Sequence, residues 1–483
     1  MKERNSKRSQ EAKEDFNVLV ATSTTLTEKI LLANNPARLF LSAFLIVIFI
    51  GSVLLYMPFA NRYAPAAYID NLFEAVSAVC VTGLTTVVPA TQYSTAGKVI
   101  LIILMEIGGL GPMTIIAVIM QRNRRYMAMA EKKFFASAAG KSDLSDVPRY
   151  IRRIVRYTLT FELCGFAVMA THLVPEYGLK TGLFNSLFLS VSAFTNAGFD
   201  CLGAESLAKY ATDPIMNITV MTLIVFGGLG FMVWFEVRDL ISSRVKKEKG
   251  LLATRKRLSV HAGTVMKMTA ALIVSGAVMF WIFEYTNPGT ISHMTPAGKM
   301  FTAMFQSVTL RTAGFSTVNI GACTRPVLII MCLYMLIGGS PGGTAGGMKT
   351  TTAAVLYVSA VNTLNDKQNE AVIKRRSIPY NLLKQAFVIL YLYVFCLFAA
   401  LIVLSISEPG IETLPLIFEA FSAIGTVGIS TGITGDLSLA GQIVIMVLMF
   451  IGRLGPLSVY TAFHKEKKLT NHVTYPDVDI IIG

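Results

Sequence analysis

A glycine-rich stretch near the middle of the chain carries residue types that can cradle phosphate groups. Residues 337–350 read IGGSPGGTAGGMKT, with six glycines followed by Lys349 and Thr350. A phosphate-binding loop of the GxxxxGK[ST] type needs its lysine directly after the last glycine and a β-strand before the first one. Here Met348 separates Gly347 from the lysine, and the preceding residues VLIIMCLYML form an apolar run. The pattern therefore favours a membrane helix interrupted by glycines over a nucleotide site.

The apolar run that contains these glycines extends over residues 326–360, which is too long for one straight crossing of about 20 residues. Each glycine disfavours helix by about 1 kcal/mol relative to alanine, so we expect two helices joined by a loop. Non-helical backbone at membrane depth persists only where it is buried or lines a wet cavity. The hypothesis is a mobile gate, and an ordinary kink is the alternative. The predicted gate residues are Gly338, Gly339, Ser340, Pro341, Gly342, Gly343, Thr344, Ala345, Gly346 and Gly347.

Four shorter stretches elsewhere in the chain also lead to a glycine. They read NLFEAVSAVCVTGL, SLFLSVSAFTNAGF, AMFQSVTLRTAGF and LIFEAFSAIGTVGI, and their glycines follow one another at intervals of 115, 116 and 114 residues. Such even spacing indicates an internal fourfold repeat. A single copy would be an ordinary helix with a C-terminal glycine, but four copies in register favour four equivalent pore loops. The glycines are Gly83, Gly198, Gly314 and Gly428.

Loops of this kind can bind a cation with their main chain. Backbone carbonyl oxygens replace the water shell of the ion in potassium-selective filters, and glycine permits the bend and the close approach of the chains. A filter built from a ring of charges would carry Asp or Glu, and neither occurs at the two positions before these glycines. We therefore expect K+ as the transported ion, with Na+ as an open alternative. The residues before the glycines are Val81-Thr82, Asn196-Ala197, Thr312-Ala313 and Thr426-Val427.

The composition requires membrane-spanning helices to position these loops. The 483 residues are 53% hydrophobic and only 15% charged, with a mean hydropathy of +0.57, which excludes an ordinary soluble protein. Apolar runs long enough to cross a bilayer flank each glycine-terminated stretch. Each stretch is itself too short to cross, so it must enter and leave the membrane by one face. The eight predicted spans are 39–57, 97–120, 157–174, 214–236, 264–283, 326–360, 386–406 and 441–462.

The net charge of +14 follows the predicted topology. Most of the 43 Lys and Arg residues fall in five blocks, between which the chain is poor in basic residues. By the positive-inside rule these blocks lie in the cytoplasm, together with both chain termini. The charge is therefore a topology signal in a multi-pass protein of the cell membrane surrounded by lipid, and nucleic acid is not expected as a partner. The blocks are the N-terminus to Arg38, Arg122–Arg156, Arg238–Lys267, Lys349–Lys384 and Arg453–Lys468.

Each repeat contains two full spans, so all four copies point the same way and pack around one axis along the membrane normal. Inverted-repeat transporters need an odd number of spans per repeat. The alternative function is a secondary transporter of another monovalent cation or a small solute. An enzyme is not expected, because no cluster of His, Asp or Cys is present. The predicted segments are an N-terminal segment 1–38, repeats 39–125, 150–240, 260–362 and 384–462, and a C-terminal tail 463–483.

The pieces VCVTGL, TNAGFD, LRTAGFST, GTVGIS and GGSPGGTAGG resemble the Trk/Ktr/HKT superfamily of potassium uptake proteins, and within it the KtrB-type membrane subunit. The resemblance implies an all-α membrane fold with four parallel repeats of span, pore loop and span around one pseudo-fourfold pore. It also implies a homodimer on a cytoplasmic ring of RCK subunits that bind nucleotide. The implied filter residues are Val81, Thr82, Gly83, Asn196, Ala197, Gly198, Thr312, Ala313, Gly314, Thr426, Val427 and Gly428.

A charged residue breaks the pattern of the second spans. The motifs GGLGP at Gly108–Pro112 and GGLGF at Gly227–Phe231 become GRLGP in the fourth copy, where Arg453 replaces the second glycine. An arginine at membrane depth costs about 2.5–3.5 kcal/mol on insertion scales, so it must face water or a partner. The family resemblance implies a positive barrier below the filter that belongs to the gate. The alternatives are an ion pair with Glu106 or Glu162 and a side chain that snorkels to the inner face of the membrane.

Overall fold

The computed structural model describes residues 36–111, 147–203, 206–245, 258–365, 371–373 and 376–464, which are predominantly helical. The all-α class expected from the sequence agrees with this content. Most of the predicted N-terminal segment 1–38, the C-terminal tail from residue 465 and the second span of the first repeat beyond residue 111 lie outside the described residues.

The helices are numbered in chain order over the described ranges. They are α1 Pro36–Tyr56, α2 Tyr68–Cys80, α3 Pro89–Gln92, α4 Thr95–Leu110, α5 Val147–Tyr177, α6 Leu179–Thr195, α7 Pro214–Gly228, α8 Phe231–Val245, α9 Val260–Glu284, α10 Pro296–Thr309, α11 Arg325–Leu336, α12 Thr350–Leu364, α13 Tyr380–Ser407, α14 Thr413–Gly425, α15 Leu439–Leu454 and α16 Pro456–Phe463. Two short antiparallel strands, β1 Val372–Ile373 and β2 Arg376–Ser377, pair between α12 and α13.

The helices that carry the four glycine loops contact one another in a cyclic order. The long apolar helices α1, α5, α9 and α13 each pack against the short helix that follows, which is α2, α6, α10 or α14. The next helix in each unit then contacts the short helix of the following unit, so that α4 meets α6, α7 meets α10, α11 meets α14 and α15 meets α2. These contacts close into a ring.

A buried phenylalanine anchors each short helix at the same place. The four side chains are at most 1% exposed, and burying a side chain of this size contributes about 1.5–3 kcal/mol. Each short helix therefore packs with the face that carries this phenylalanine towards the core. These residues are Phe73, Phe188, Phe305 and Phe418.

Three helices are long and apolar enough to cross a membrane by themselves: Arg149–Tyr177, Val260–Glu284 and Tyr380–Ser407. Two bent pairs, α7 with α8 and α15 with α16, raise the number to five if each pair is one span. The eight predicted spans are therefore only partly matched by length and composition within the described residues. Of the remainder, α1 and α11 supply shorter apolar helices, over Phe40–Tyr56 and Arg325–Leu336.

The predicted spans 214–236 and 441–462 are not straight. The chain bends by 103° between α7 and α8 and by 94° between α15 and α16. The bends lie at Gly230 and Gly455, whose φ angles are 89° and 83°, a left-handed conformation that glycine adopts without steric cost. The sequence predicted a helix break in the third repeat alone, whereas the structure also breaks the second and fourth.

The first glycine of each GGLG-type motif lies against the neighbouring short helix. A Cβ atom at Gly108, Gly227 or Gly452 would lie 2.3, 1.9 or 2.1 Å from a backbone carbonyl oxygen. No side chain fits at these separations, so each helix approaches its neighbour closely here, as small residues permit. The carbonyl groups belong to Val79, Phe194 and Ile424.

Candidate functional site

The four evenly spaced glycines lie against one another at the centre of the ring of helices. A Cβ atom added at Gly83 would lie 2.9 Å from the Cα atom of Gly198, and one at Gly198 would lie 2.8 Å from the Cα atom of Gly314. A Cβ atom at Gly428 would lie 2.9 Å from the Cα atom of Gly83. These distances are below a normal carbon–carbon contact of about 3.5 Å. The fold thus brings together four loops that are far apart in the sequence and leaves no room for side chains.

The carbonyl oxygens just before the glycines follow the same cyclic order. Each oxygen lies close to the glycine of the preceding unit, near the position that a Cβ atom of that glycine would occupy. Four main-chain oxygens therefore lie together where the loops meet. The separations from these Cβ positions are 2.7 Å for Ala197 at Gly83, 2.9 Å for Ala313 at Gly198, 3.0 Å for Val427 at Gly314 and 1.9 Å for Thr82 at Gly428.

Each loop has the same strained backbone two residues before its glycine. Val81, Asn196, Thr312 and Thr426 have φ angles of 56°, 61°, 70° and 51°. Three of them are β-branched, for which this left-handed conformation is an outlier. A residue held in such a region costs about 1–3 kcal/mol and persists only where the surroundings impose it. The strain marks these residues as a site whose conformation the fold imposes, and the sequence gives no warning of it.

Serine side chains hold two of the glycines in place. The Oγ atom of Ser77 accepts a hydrogen bond from the backbone N–H of Gly83 at 3.0 Å, and that of Ser422 accepts one from Gly428 at 3.1 Å. Ser192 occupies the equivalent position in the second loop, but its hydroxyl has no hydrogen-bond partner in the structure. A serine six residues before three of the glycines is a signal that the motifs contain and that our sequence reasoning overlooked.

Replacing Ser77 by alanine is expected to weaken the filter loop. The N–H of Gly83 would lose its acceptor, and a buried unsatisfied donor costs about 1–3 kcal/mol. Thermal unfolding of the purified protein and competition between potassium and sodium for uptake measure the effect. Ser192→Ala is the matched control because it removes a hydroxyl without a partner. Equal losses in both variants would contradict the role of the hydrogen bond.

Two buried glutamates support the loops from behind, where the sequence could not assign their partners. Oε1 of Glu74 accepts hydrogen bonds from the backbone of Thr86 at 3.0 Å and Val87 at 3.4 Å, beyond the first glycine. Glu419 occupies the same position in the fourth repeat and accepts a hydrogen bond from the hydroxyl of Thr434. Each carboxylate therefore ties its helix to the chain that follows the glycine.

Arg311 in the third loop is also buried, at 4% exposure. Its Nε and Nη2 atoms have no hydrogen-bond partner in the structure. The pairing of Arg311 with a pore-helix carboxylate, which the sequence left open, is not among the ion pairs of the described residues.

A cavity of about 260 Å³ lies on one side of the four glycines, where the chain continues after each of them. All four glycines line it, and among the described lining residues Asp200 is the one charged side chain. Burial raises the pKa of the Asp200 carboxyl above its usual range, although a hydrogen bond from the backbone of Leu202 lowers it. A ring of charges would be expected at the residues before the glycines, whereas Asp200 comes two residues after Gly198.

Neutralising Asp200 is expected to weaken cation entry. Asp200→Asn removes one negative charge, worth about 1 kcal/mol at 4 Å in water, so the apparent KM for potassium should rise about fivefold. In the unchanged protein the same loss should appear as the external pH falls through the raised pKa, because protonation neutralises the carboxylate. Rubidium uptake measured against external pH tests this. Superimposable profiles for the two proteins would contradict it.

The predicted gate residues lie on the opposite side of the glycine ring. Residues 337–349 are not helical and separate α11 from α12, as their glycine content predicts. The loop is held by the second repeat: the N–H groups of Ser340 and Thr344 donate to the carbonyls of Gly228 and Gly227 at 2.9 and 3.1 Å. The hydroxyl of Thr344 donates to the carbonyl of Phe194 at 3.0 Å. These hydrogen bonds therefore hold the loop against the second repeat.

The gate loop also touches the loops that carry the glycines. A Cβ atom at Gly346 would lie 2.1 Å from the hydroxyl of Thr426, so this part of the loop packs directly against the loop that contains Gly428. At the end of the gate loop, Nζ of Lys349 donates to the carbonyl of Ala345 at 2.8 Å. The lysine that first suggested phosphate chemistry is thus bonded to the loop itself.

Arg453 connects three repeats through backbone carbonyls. Nη1 donates to the carbonyl of Thr344 in the gate loop, and Nη2 donates to the carbonyls of Gly108 and Gly109 in α4. A planar guanidinium suits this arrangement because its donors point in fixed directions. The side chain therefore bridges the fourth repeat, the first repeat and the gate loop.

The alternative ion pair between Arg453 and Glu106 or Glu162 is not formed among the described residues. The two carboxyl groups instead lie beside each other, between α4 and α5. The carbonyl groups take the place of the predicted carboxylates because α4 ends beside Arg453 and leaves its last carbonyls unpaired within the helix.

Comparisons with known proteins give consistent matches over almost the whole chain. A sequence model of the TrkH family, described as cation transport proteins, matches residues 19–472. Ktr system potassium uptake protein B from Bacillus subtilis (strain 168) is 35% identical over 93% of this chain and 97% of its own length. Its namesake from Vibrio alginolyticus is 34% identical over 92% and 94%. Potassium/sodium uptake protein NtpJ from Enterococcus hirae is 34% identical over 93% and 97%.

The fold has a counterpart among solved structures. The crystal structure of the potassium transporter TrkH from Vibrio parahaemolyticus matches with a TM-score of 0.66, covering 87% of this chain and 84% of that one. The sequence identity over this match is 17%, so the comparison shows a shared fold.

Proposed function

This chain belongs to the TrkH family of cation transport proteins, and from that membership we propose that it is the potassium-translocating membrane subunit of an uptake system. Relatives at 34–35% identity over nearly the whole chain are named as potassium uptake proteins. The proposed mechanism rests on one observation: four glycines and four main-chain oxygens lie close together where the loops meet.

The architecture that we propose is four parallel repeats around a single pseudo-fourfold pore. The cyclic helix contacts and the even spacing of the glycines support it. In this arrangement α2, α6, α10 and α14 are pore helices, and the repeats occupy 39–125, 150–240, 260–362 and 384–462. The chain lies in the cell membrane with both termini in the cytoplasm, as the distribution of basic residues favours.

Selection of potassium is proposed to rest on the main chain of the four loops. A ring of carbonyl oxygens replaces water around the ion, and the low charge of each dipole suits a monovalent cation. The strained residues before each glycine hold these carbonyls in one geometry, so binding does not have to order them. The filter consists of Val81 to Gly83, Asn196 to Gly198, Thr312 to Gly314 and Thr426 to Gly428.

The gate is proposed to be the loop Gly338–Gly347 together with Arg453. The contact of Gly346 with Thr426 supports this, because a loop packed there obstructs ions that leave the filter. The arginine adds a positive charge on the same path, and its hydrogen bond to Thr344 holds the loop. Conduction would require these contacts to open.

The subunit is proposed to act as a homodimer on a cytoplasmic ring of RCK subunits that bind nucleotide. Relatives named as parts of a Ktr system support a multi-component assembly. Sodium is proposed as a second ion, since one relative is named as a potassium/sodium uptake protein.

The proposal is tested by reconstituting the purified protein into vesicles that contain potassium and measuring rubidium or potassium flux with and without sodium. We expect flux of both potassium and rubidium, and no flux when choline is the only cation. The comparison with and without sodium tests sodium as the second ion. Flux of a small organic solute without flux of potassium would contradict the function.

A further inference from the structure

A basic cavity lies in the second repeat, apart from the filter and the gate. It has a volume of about 490 Å³ and lies between α5 and α8. Three arginines from two separate helices line it, and none of its described lining residues is acidic. Its lining residues are Arg153, Arg156, Tyr157, Thr160, Phe161 and Arg238.

The direction of α8 sets the depth of this cavity in the membrane. The chain bends by 103° between α7 and α8, so α8 runs nearly parallel to the membrane surface if α7 stands along the membrane normal. Aromatic residues join α8 to α5: the ring of Phe235 lies 5.4 Å from that of Tyr150 and 5.2 Å from that of Tyr157. Tyr and Trp side chains favour the headgroup level of a bilayer, and Trp234 follows the bend. The cavity therefore lies at the inner membrane interface.

The positive-inside rule explains why arginines occur near this end of the spans, but not why they converge. That rule depends on the number of basic residues in a loop, whereas Arg153, Arg156 and Arg238 line one cavity. Like charges placed together repel. Glu236 and Asp239 line a neighbouring cavity with Arg153, but neither lines the cavity that Arg153 shares with Arg156 and Arg238. The guanidinium of Arg238 lies 5.8 Å from the ring of Tyr157, which favours one position for it. An anion beside Arg156 and Arg238 would complete this arrangement.

The apolar surface beside the arginines indicates what kind of anion fits. Phe161 lines the cavity one turn further along α5 from Tyr157, and Leu159 and Leu163 on the same helix are 52% and 59% exposed. A headgroup phosphate among the arginines would place acyl chains along this apolar surface. An acidic segment of a cytoplasmic protein would match the charge but would leave the leucines without a partner.

We propose that this cavity binds the phosphate headgroup of an anionic phospholipid of the inner leaflet, such as phosphatidylglycerol. Arginine binds phosphate through paired N–H donors, and basic pockets between membrane helices on the cytoplasmic side hold such headgroups. The lipid joins α8 to α5 and so connects the bend after α7 to the first span of its repeat.

The test is native mass spectrometry of the full-length protein in detergent with phosphatidylglycerol or with phosphatidylcholine of the same chain length. The double variant Arg156→Gln with Arg238→Gln should lose affinity for phosphatidylglycerol by roughly thirtyfold. The matched control, Arg152→Gln with Arg376→Gln, removes the same charge from residues that do not line the cavity and should bind as the unchanged protein does. Because Arg156 and Arg238 are exposed, their replacement spares the core, and Arg156→Gln alone should give an intermediate loss.

Preference for phosphatidylglycerol that only the cavity variants lose would support the proposal. Equal binding of the two lipids, equal losses in both double variants, or full displacement by millimolar inorganic phosphate would overturn it. Unchanged lipid binding combined with loss of a co-purifying cytoplasmic subunit would also overturn it, in favour of a protein-docking surface.

Discussion

Replacing Gly314 by serine is expected to reduce potassium uptake and its selectivity over sodium by at least tenfold. The new Cβ atom would lie 2.7 Å from the Cα atom of Gly198 and 3.0 Å from the carbonyl oxygen of Val427. Both neighbours are main chain of other filter loops, so neither can move aside as a flexible side chain would. Overpacking of this kind costs about 1–3 kcal/mol, and the φ angle of 83° adds about 1–2 kcal/mol for any residue with a Cβ atom.

The measurement is rubidium and potassium uptake by cells that lack their own uptake systems, with competing sodium. Gly178→Ser is the matched control, since Gly178 has a φ angle of 79° and no atom within 4 Å of its Cβ position. It imposes the same backbone strain without the contact. If the two variants transported alike, the crowding of the four loops would not govern conduction.

Replacing Arg453 by alanine is expected to raise potassium flux by about tenfold or more. The change removes the hydrogen bond to Thr344 in the gate loop and those to Gly108 and Gly109. Hydrogen bonds to a charged group contribute about 1.5–3 kcal/mol each, so losing the one that holds the loop shifts the gate towards opening by at least tenfold. It also removes a positive charge from the cation path.

Arg453→Lys separates the two causes. Lysine keeps the charge but lacks the planar fork that reaches Thr344 and Gly108 together. Flux near that of the unchanged protein would identify the charge as the barrier, and flux near that of the alanine variant would identify the hydrogen bonds. Initial rates in reconstituted vesicles, normalised to protein amount, give the comparison. An alanine variant with unchanged or lower flux would refute the gate assigned to Arg453.

The two substitutions address separate parts of the proposed path. Gly314→Ser is expected to change which ion is favoured, because it alters the main-chain oxygens of the proposed filter. Arg453→Ala is expected to change how fast ions leave, because it alters contacts of the proposed gate. Combined in one chain, the changes should leave selectivity poor and flux limited by the distorted filter.

Much of the molecule could be predicted from the order of residues. Hydropathy sets the helical membrane class, because a continuous apolar run of about 20 residues crosses a lipid bilayer as a helix, which pairs its own backbone groups. The recurrence of Gly83, Gly198, Gly314 and Gly428 at even spacing located the loops, since repeated units leave a regular signal in the sequence. The glycine content of residues 338–347 predicted the helix break, because each glycine disfavours the helical conformation of its own backbone.

Other features depend on atoms that are distant in the sequence. The sequence placed Arg453 at membrane depth but suggested carboxylates as partners, whereas the fold offers it carbonyl groups where α4 ends. The bends at Gly230 and Gly455 were not predicted, because a small residue in an apolar run is compatible with close helix approach and with a turn equally well. Asp200 was passed over because its place in the cavity depends on how four loops meet.

What the residue order alone determined is therefore local: apolar length, repeat spacing and the glycines that the backbone needs. What the tertiary structure decided is which main-chain groups face one another, including the four carbonyl oxygens near the glycines and the carbonyls held by Arg453. Backbone groups are alike at every residue, so their partners carry no sequence signature. A site built from main-chain groups can therefore be located only in the tertiary structure, where the four loops meet.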